Sequence, residues 1–232
     1  MEELKDLSEQ DIKVNVEQLL KAYSDQDKKD KIERYRRLNQ YVKKGQIVFA
    51  GSSLMEQFPI YEFIQDFDID KVIYNRGIGG FTTIEMLEVL DVCIFDLKPS
   101  RIFLNIGTND MNDAAYKEEE LIGRYDIIVS KIMEILPKVE LFLMAYYPIN
   151  ESKADNAWQK EIFKTRTNAR ILSANGAVER LAKKYDVRYI DVNKNLYDEE
   201  GRMKPEFTIE GMHMYGNGYK EVLDEMMKYI ME

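Results

Sequence analysis

The sequence predicts an α/β fold in which a parallel sheet is covered by helices on both faces. Five short apolar runs rich in β-branched and aromatic residues alternate with segments of helical periodicity. This alternation is typical of right-handed βαβ units, which build parallel sheets. The chain has 232 residues and is 45% hydrophobic, which suits one domain of this class and is short for two.

The elements follow from the local pattern in chain order. Residues 10–44 are predicted to be helical, because apolar residues recur at helical spacing among charged ones. We expect this helix to pack on the sheet, with a lid or a dimer contact as the alternatives. Its apolar positions are Ile32, Tyr35, Leu38 and Val42. The strands are predicted at 47–50, 71–75, 101–106, 139–146 and 187–192, and the later helices at 81–97, 117–136, 157–185 and 217–231.

Composition argues against several functions. The formal net charge of -9 argues against a nucleic-acid-binding surface and disfavours binding to anionic membranes. Cys93 is the only cysteine, so no intrachain disulfide can form, and its apolar neighbours predict a buried thiol. No apolar run is long enough to span a bilayer, and the expected location is the cytoplasm.

The first strand is followed by a glycine and two serines, Gly51-Ser52-Ser53. In parallel α/β sheets, ligands bind beyond the carboxyl ends of the strands. A serine hydroxyl in that place can act as a nucleophile while its own backbone N–H faces the developing oxyanion. Capping of the following helix is the alternative role for such a serine.

Two further strand ends carry groups that can stabilise an oxyanion. The second strand leads into Gly77-Ile78-Gly79-Gly80, whose glycines predict a backbone close to a ligand or a tight turn into the next helix. The spacing is not that of a dinucleotide or P-loop motif. The third strand ends in Gly107-Thr108-Asn109-Asp110, where the Asn109 amide can donate to an oxyanion or close an Asx turn.

The only histidine, His213, follows Glu210 by three residues. Imidazole is the side chain that most readily takes and returns protons near neutral pH, and a nearby carboxylate can fix its tautomer. A surface or capping histidine is the alternative. Together with the strand-end groups, this pair supplies the components of acyl transfer. A single histidine leaves no clustered ligand set for a catalytic metal, so we expect no catalytic metal.

These four segments resemble the four blocks of the SGNH hydrolase superfamily, also called the GDSL esterase/lipase family. They appear in the family's order between about residues 47 and 219. Gly51-Ser52-Ser53-Leu54 stands where the family has Gly-Asp-Ser-Leu, so Ser52 replaces the usual aspartate. Gly107-Thr108-Asn109-Asp110 matches Gly-x-Asn-Asp. Glu210-Gly211-Met212-His213 stands for Asp-x-x-His and is followed by the family's Gly-Tyr, here Gly218-Tyr219.

The resemblance implies roles for these residues. Ser53 is the nucleophile, His213 the base and Glu210 the acid that orients the base. The oxyanion is held by the backbone N–H groups of Ser53 and Gly80 and by the amide of Asn109. The resemblance also implies a flavodoxin-like, three-layer α/β/α fold, no cofactor, and hydrolysis of carboxylic esters on carbohydrate or lipid substrates.

Several expectations complete the sequence-based interpretation. Residues 1–45 form an N-terminal helical extension packed on an SGNH-type hydrolase domain of residues 46–232. The segment 148–163, which contains Trp158, is a candidate wall of the pocket, with plain loop packing as the alternative. The expected partner is a small acyl ester. A homodimer, a non-catalytic role in binding acylated glycans, and acyl transfer to a sugar acceptor remain open.

Overall fold

The centre of the structure is a five-stranded parallel sheet. The computed structural model describes residues 9–232, so the first eight residues of the expected N-terminal extension lie outside the described part. The strands are β1 (Ile47–Gly51), β2 (Ile73–Gly77), β3 (Arg101–Asn105), β4 (Glu140–Met144) and β5 (Arg188–Ile190). Their order in the sheet is β2-β1-β3-β4-β5, the doubly wound order of flavodoxin-like folds. The predicted fold class is therefore confirmed.

Helices cover both faces of the sheet, and alternate strand residues supply the two cores. In β1, Val48 and Ala50 pack on the face covered by α6 (Glu118–Ile135) and α8 (Asn168–Tyr185). Ile47 and Phe49 pack on the face covered by α9 (Gly216–Met231). This period of two is what a strand buried on both faces requires. The helices are α1 (Glu9–Leu38), α2 (Ser53–Glu56), α3 (Ile60–Asp66), α4 (Thr83–Glu88), α5 (Leu90–Cys93), α6 (Glu118–Ile135), α7 (Ala157–Thr165), α8 (Asn168–Tyr185) and α9 (Gly216–Met231).

Two of the predicted helices are broken, so their prediction as continuous elements was wrong. The segment 81–97 becomes α4, α5 and a 3₁₀ turn, because Val89 leaves the helical region with φ -131° and ψ 23°. The segment 157–185 divides at Arg166, which has φ -81° and ψ 97°. The hydroxyl of Thr167 then caps α8 by accepting a hydrogen bond from the N–H of Arg170. The second break places Arg166 beside the candidate site.

The predicted N-terminal helix ends earlier than expected, at Leu38 rather than at residue 44. Ile32, Tyr35 and Val42 pack against the core, but Leu38 is 43% exposed and does not belong to the packing stripe. The short helices α2 and α3, which were not predicted, fill the connection between β1 and β2. The second half of α1 lies against the carboxyl end of β2, where the Tyr35 hydroxyl donates to the Gly77 carbonyl over 2.9 Å.

Two smaller expectations can be compared with the structure. Cys93 is fully buried, and burial raises the pKa of its thiol to about 12, so the group stays protonated at neutral pH. Within residues 9–232, the helices are too short or too polar to cross a membrane.

Candidate active site

A cavity of about 450 Å³ lies beyond the carboxyl ends of the strands. Its walls include residues from all four of the segments singled out in the sequence, which confirms that these segments converge. The first follows β1, the second follows β2, the third follows β3 and the last precedes α9. The residues that line the cavity from these segments are Ser53, Gly80, Asn109 and His213.

The side chains of Ser53, His213 and Glu210 form a continuous hydrogen-bonded chain. Ser53 Oγ lies 2.9 Å from His213 Nε2, and His213 Nδ1 makes a short hydrogen bond to Glu210 Oε1. An ionised carboxylate can only accept, so Nδ1 carries the proton and Nε2 is free to accept the proton of Ser53. This is the tautomer that a general base acting on the serine needs.

Glu210 stays ionised although it is buried. Burial acts to raise the pKa of this carboxyl, but the hydrogen bond from His213 and the interaction with its charge outweigh burial, so the pKa is lowered. The net effect keeps a negative charge beside the imidazole at neutral pH. That charge would stabilise an imidazolium formed when His213 takes a proton. The extra methylene of glutamate, relative to the usual aspartate, does not prevent the contact.

The turn before the nucleophile requires a glycine. A Cβ at Gly51 would lie 2.1 Å from the carbonyl oxygen of Asn105, so no larger residue fits there without a shift of the backbone. The next residue, Ser52, is 1% exposed, and its hydroxyl makes no hydrogen bond within residues 9–232. Ser53 then starts α2 and lines the cavity. The close packing of this turn therefore exposes one serine and buries the other.

The candidate oxyanion residues Gly80 and Asn109 line the same cavity as Ser53. In the part of the chain that the structure describes, the backbone N–H groups of Ser53 and Gly80 donate to no backbone carbonyl. Gly80 has a φ of +73°, a conformation that L side chains rarely adopt. Asn109 lies in a 3₁₀ turn, and its Nδ2 donates to the Phe81 carbonyl over 2.9 Å. The second N–H of that amide is available to a ligand.

Helix α1 holds the loop that carries Gly80, a contribution that sequence reasoning missed. Lys28 Nζ donates to the Gly80 carbonyl over 3.2 Å. Lys31 pairs with Glu56 over 2.8 Å, and Glu56 accepts a hydrogen bond from the Gly79 N–H over 2.7 Å. The lysines looked like ordinary solvated charges in the sequence. Their spacing of three residues, which places both on one helix face, was the available signal.

Arg166 holds Asn109, and this contribution too was missed. Its Nη2 donates to Asn109 Oδ1 over 2.8 Å, and its side chain is only 4% exposed. Arg166 fell inside a segment predicted as one helix. The threonine that follows, a preferred helix cap, was the signal that could have revealed a break there.

Trp158 lies in the wall of the cavity, as proposed for the segment 148–163. It belongs to the first turn of α7, which a capping box formed by Asn156 and Gln159 starts. Its side chain is 63% exposed, so it borders the entrance rather than the buried end. Met212 contributes a second apolar surface, and Gln57, Thr82 and Asn112 add polar side chains to the wall.

Comparisons with known proteins show the family to which the chain belongs. The GDSL-like lipase/acylhydrolase family model matches residues 62–221. Human platelet-activating factor acetylhydrolase IB subunit alpha2 is 23% identical over 195 residues, which cover 82% of this chain and 78% of that protein. The isoamyl acetate-hydrolyzing esterase of Saccharomyces cerevisiae is 26% identical over 170 residues, 68% of each chain.

A solved structure of another protein has the same fold as this chain. A Streptococcus pneumoniae protein, provisionally described as a platelet activating factor, is 30% identical with a TM-score of 0.84. The match covers 94% of this chain and 99% of that one. The family model alone covers more than half of the chain. The protein therefore belongs to the GDSL-like lipase/acylhydrolase family of the SGNH hydrolase superfamily, and it is a carboxylic ester hydrolase.

Proposed function

We propose that the protein is a serine esterase that hydrolyses esters of short acyl groups through an acyl-enzyme. The observation that carries this proposal is the chain of contacts from Ser53 Oγ through His213 to Glu210, with 2.9 Å between the serine oxygen and the imidazole. A nucleophile bonded to a base that is oriented by a third group is the arrangement that acyl transfer requires.

The mechanism follows from the positions of these groups. His213 Nε2 takes the proton of Ser53 as the serine oxygen attacks the ester carbonyl. The N–H groups of Ser53 and Gly80 and the Asn109 amide stabilise the negative charge on the carbonyl oxygen. His213 then gives the proton to the leaving alcohol. Water repeats the sequence on the acyl-enzyme, releases the acid and restores the serine. The three side chains supply nucleophile, base and orienting acid, so this scheme needs no cofactor.

The names of two relatives support a short acyl group. The human and yeast relatives are named for acetyl esters, an acetylhydrolase and an isoamyl acetate-hydrolyzing esterase. We extend the proposal to acetyl groups on carbohydrates. The division into an N-terminal helical extension, residues 1–45, packed on a hydrolase domain of residues 46–232 stays a prediction. The expected cytoplasmic location is likewise a prediction, and a homodimer stays an open alternative.

Hydrolysis of p-nitrophenyl esters of increasing acyl length tests the proposal, with acetylated sugars as a second substrate set. We expect turnover to be highest for acetate and to fall as the acyl chain lengthens. His213→Ala should lower kcat/KM by about 10³-fold or more, because the chain has no second histidine to act as base. Tyr215→Ala is the matched control, since Tyr215 is an exposed residue of the same segment.

Two results would contradict the proposal. Near-wild-type turnover in His213→Ala would exclude the mechanism. A wild-type protein that binds acetylated sugars but hydrolyses no ester would instead favour the non-catalytic glycan-binding role.

A further inference from the structure

Arg166 is a buried cation in the wall of the catalytic cavity. It lies in the break between α7 and α8, and its side chain is 4% exposed. Nη2 donates to Asn109 Oδ1 over 2.8 Å, and Nη1 donates to Met212 Sδ over 3.2 Å. Nε is buried and donates to no atom among residues 9–232. The hydrogen-bond partners of this cation are therefore uncharged.

The charge of Arg166 is retained although burial opposes it. Burial lowers the pKa of the guanidinium to about 10, and the negative charges of Glu210 and Asp110 act in the opposite direction. The group is protonated at neutral pH. Both carboxylates are bonded elsewhere, Glu210 to His213 and Asp110 to Arg124. A buried cation without a directly bonded carboxylate is unfavourable for stability, which points to a role in the chemistry of the site.

Asn109 is the group through which Arg166 can act. The hydrogen bond to Oδ1 fixes the orientation of the amide, and Nδ2 donates one N–H to the Phe81 carbonyl. The other N–H is left for the cavity that Asn109 lines. A cation bonded to an amide oxygen also polarises the amide, which strengthens its N–H groups as donors.

We propose that Arg166 is a positioning residue of the oxyanion hole. It holds the Asn109 amide in its donating orientation and places positive charge one hydrogen bond behind the developing oxyanion. This inference rests on the proposed esterase function. The negative charge on the carbonyl oxygen develops only on the way to the transition state. Loss of Arg166 should therefore lower kcat and leave KM nearly unchanged.

A double-mutant cycle with p-nitrophenyl acetate tests this role. Arg166→Met should lower kcat about 30-fold in the wild-type background, and less than about 3-fold in Asn109→Ala, where the amide is already missing. Arg166→Lys should recover only part of the loss, because a lysine keeps a donor but lacks the planar fork that contacts Asn109 and Met212 at once. The matched control is Arg170→Met. Arg170 lies in α8 with its guanidinium over the Tyr116 ring, and we expect its removal to leave kcat unchanged.

A second measurement does not depend on turnover. In a ¹⁵N spectrum, the side-chain amide resonances of Asn109 are the pair that disappears in Asn109→Ala. They should shift strongly in Arg166→Met and stay in place in Arg170→Met. Absence of esterase activity in the wild type would end the proposed function but would leave this test of the Arg166–Asn109 contact intact.

The overturning results are distinct. An equal loss of kcat from Arg166→Met in both backgrounds would show a general structural role, and a raised KM with unchanged kcat would show substrate binding. Asn109 amide resonances that do not move in Arg166→Met would exclude the positioning role outright.

Discussion

The candidate active-site cavity holds two of its proposed oxyanion donors, Gly80 and Asn109, in different ways. On one side, Gly80 depends on backbone conformation and on Lys28 and Lys31 of α1, whose side chains are 16% and 26% exposed. On the other side, Asn109 is bonded to Arg166, which is buried and lacks an ion pair among the described residues. The first arrangement is partly accessible to solvent, whereas the second is not.

This difference predicts how each side responds to change. Partly exposed ion pairs contribute little and are weakened by salt, because water and mobile ions screen them. A buried charged hydrogen bond is screened much less, and its loss leaves a polar group unsatisfied. We therefore expect Asn109 to contribute more than Gly80 to the stabilisation of the oxyanion. Loss of the α1 lysines that hold the Gly80 loop should have only a small effect on activity.

The largest expected effect is at Asn109. Asn109→Ala should lower kcat by about 10²–10³-fold with KM within a few-fold, because the donor acts mainly in the transition state. Asn109→Asp should be worse still, since it places a negative charge against the oxyanion. The new carboxylate can pair with Arg166, so the melting temperature of Asn109→Asp should not fall below that of Asn109→Ala. A raised KM with intact kcat in Asn109→Ala would show that this side binds substrate instead.

An intermediate effect is expected at Gly80. Its φ of +73° makes any side chain unfavourable by about 1 kcal/mol, and a Cβ would lie 3.2 Å from Lys28 Cε. Gly80→Ala should shift the N–H away from the oxyanion and lower kcat about 10-fold. Gly201→Ala is the control, because Gly201 has a φ of +76° with nothing within 4 Å of an added Cβ. Both variants should lose similar stability, and only Gly80→Ala should lose activity. Equal kcat values in the two variants would remove Gly80 from the oxyanion hole.

The smallest effect is expected for Lys31, one of the α1 lysines that hold the Gly80 loop. Lys31→Met should lower kcat by no more than about 3-fold. The kcat of this variant should also depend less on salt concentration than the kcat of the wild type. Lys220→Met, which removes an exposed pair with Asp224 far along the chain in α9, is the control and should change neither quantity. A loss in Lys31→Met as large as that in Asn109→Ala would show that the two sides do not differ as described.

Much of this arrangement could be predicted from the sequence, because it depends on local patterns. The alternation of apolar strands with amphipathic helices determines a parallel sheet, and such a sheet collects strand-end residues at one edge. Ser53, Gly80 and Asn109 each follow a strand directly. The Glu210–His213 pair is close in the chain as well as in space. For these residues, position along the chain was enough to predict proximity.

The supporting residues could not be predicted because their roles depend on tertiary contacts. Lys28 and Arg166 are distant in the chain from the groups they contact, by 52 residues for Lys28 and Gly80 and by 57 for Arg166 and Asn109. A lysine or arginine on an amphipathic helix is normally solvated, and helical periodicity continued across the break at Arg166. Only packing shows that one of these cations is buried in the site.

The central claim is that His213 activates Ser53, and labelling with a fluorophosphonate probe tests it most directly. Peptide mass spectrometry after labelling should find the probe on Ser53. The label should persist in Ser52→Ala, since Ser52 is buried outside the cavity, and it should be absent from Ser53→Ala. In His213→Ala the labelling rate should fall by about 10³-fold or more. A label on Ser52 that persists in Ser53→Ala, or an unchanged rate in His213→Ala, would contradict the account.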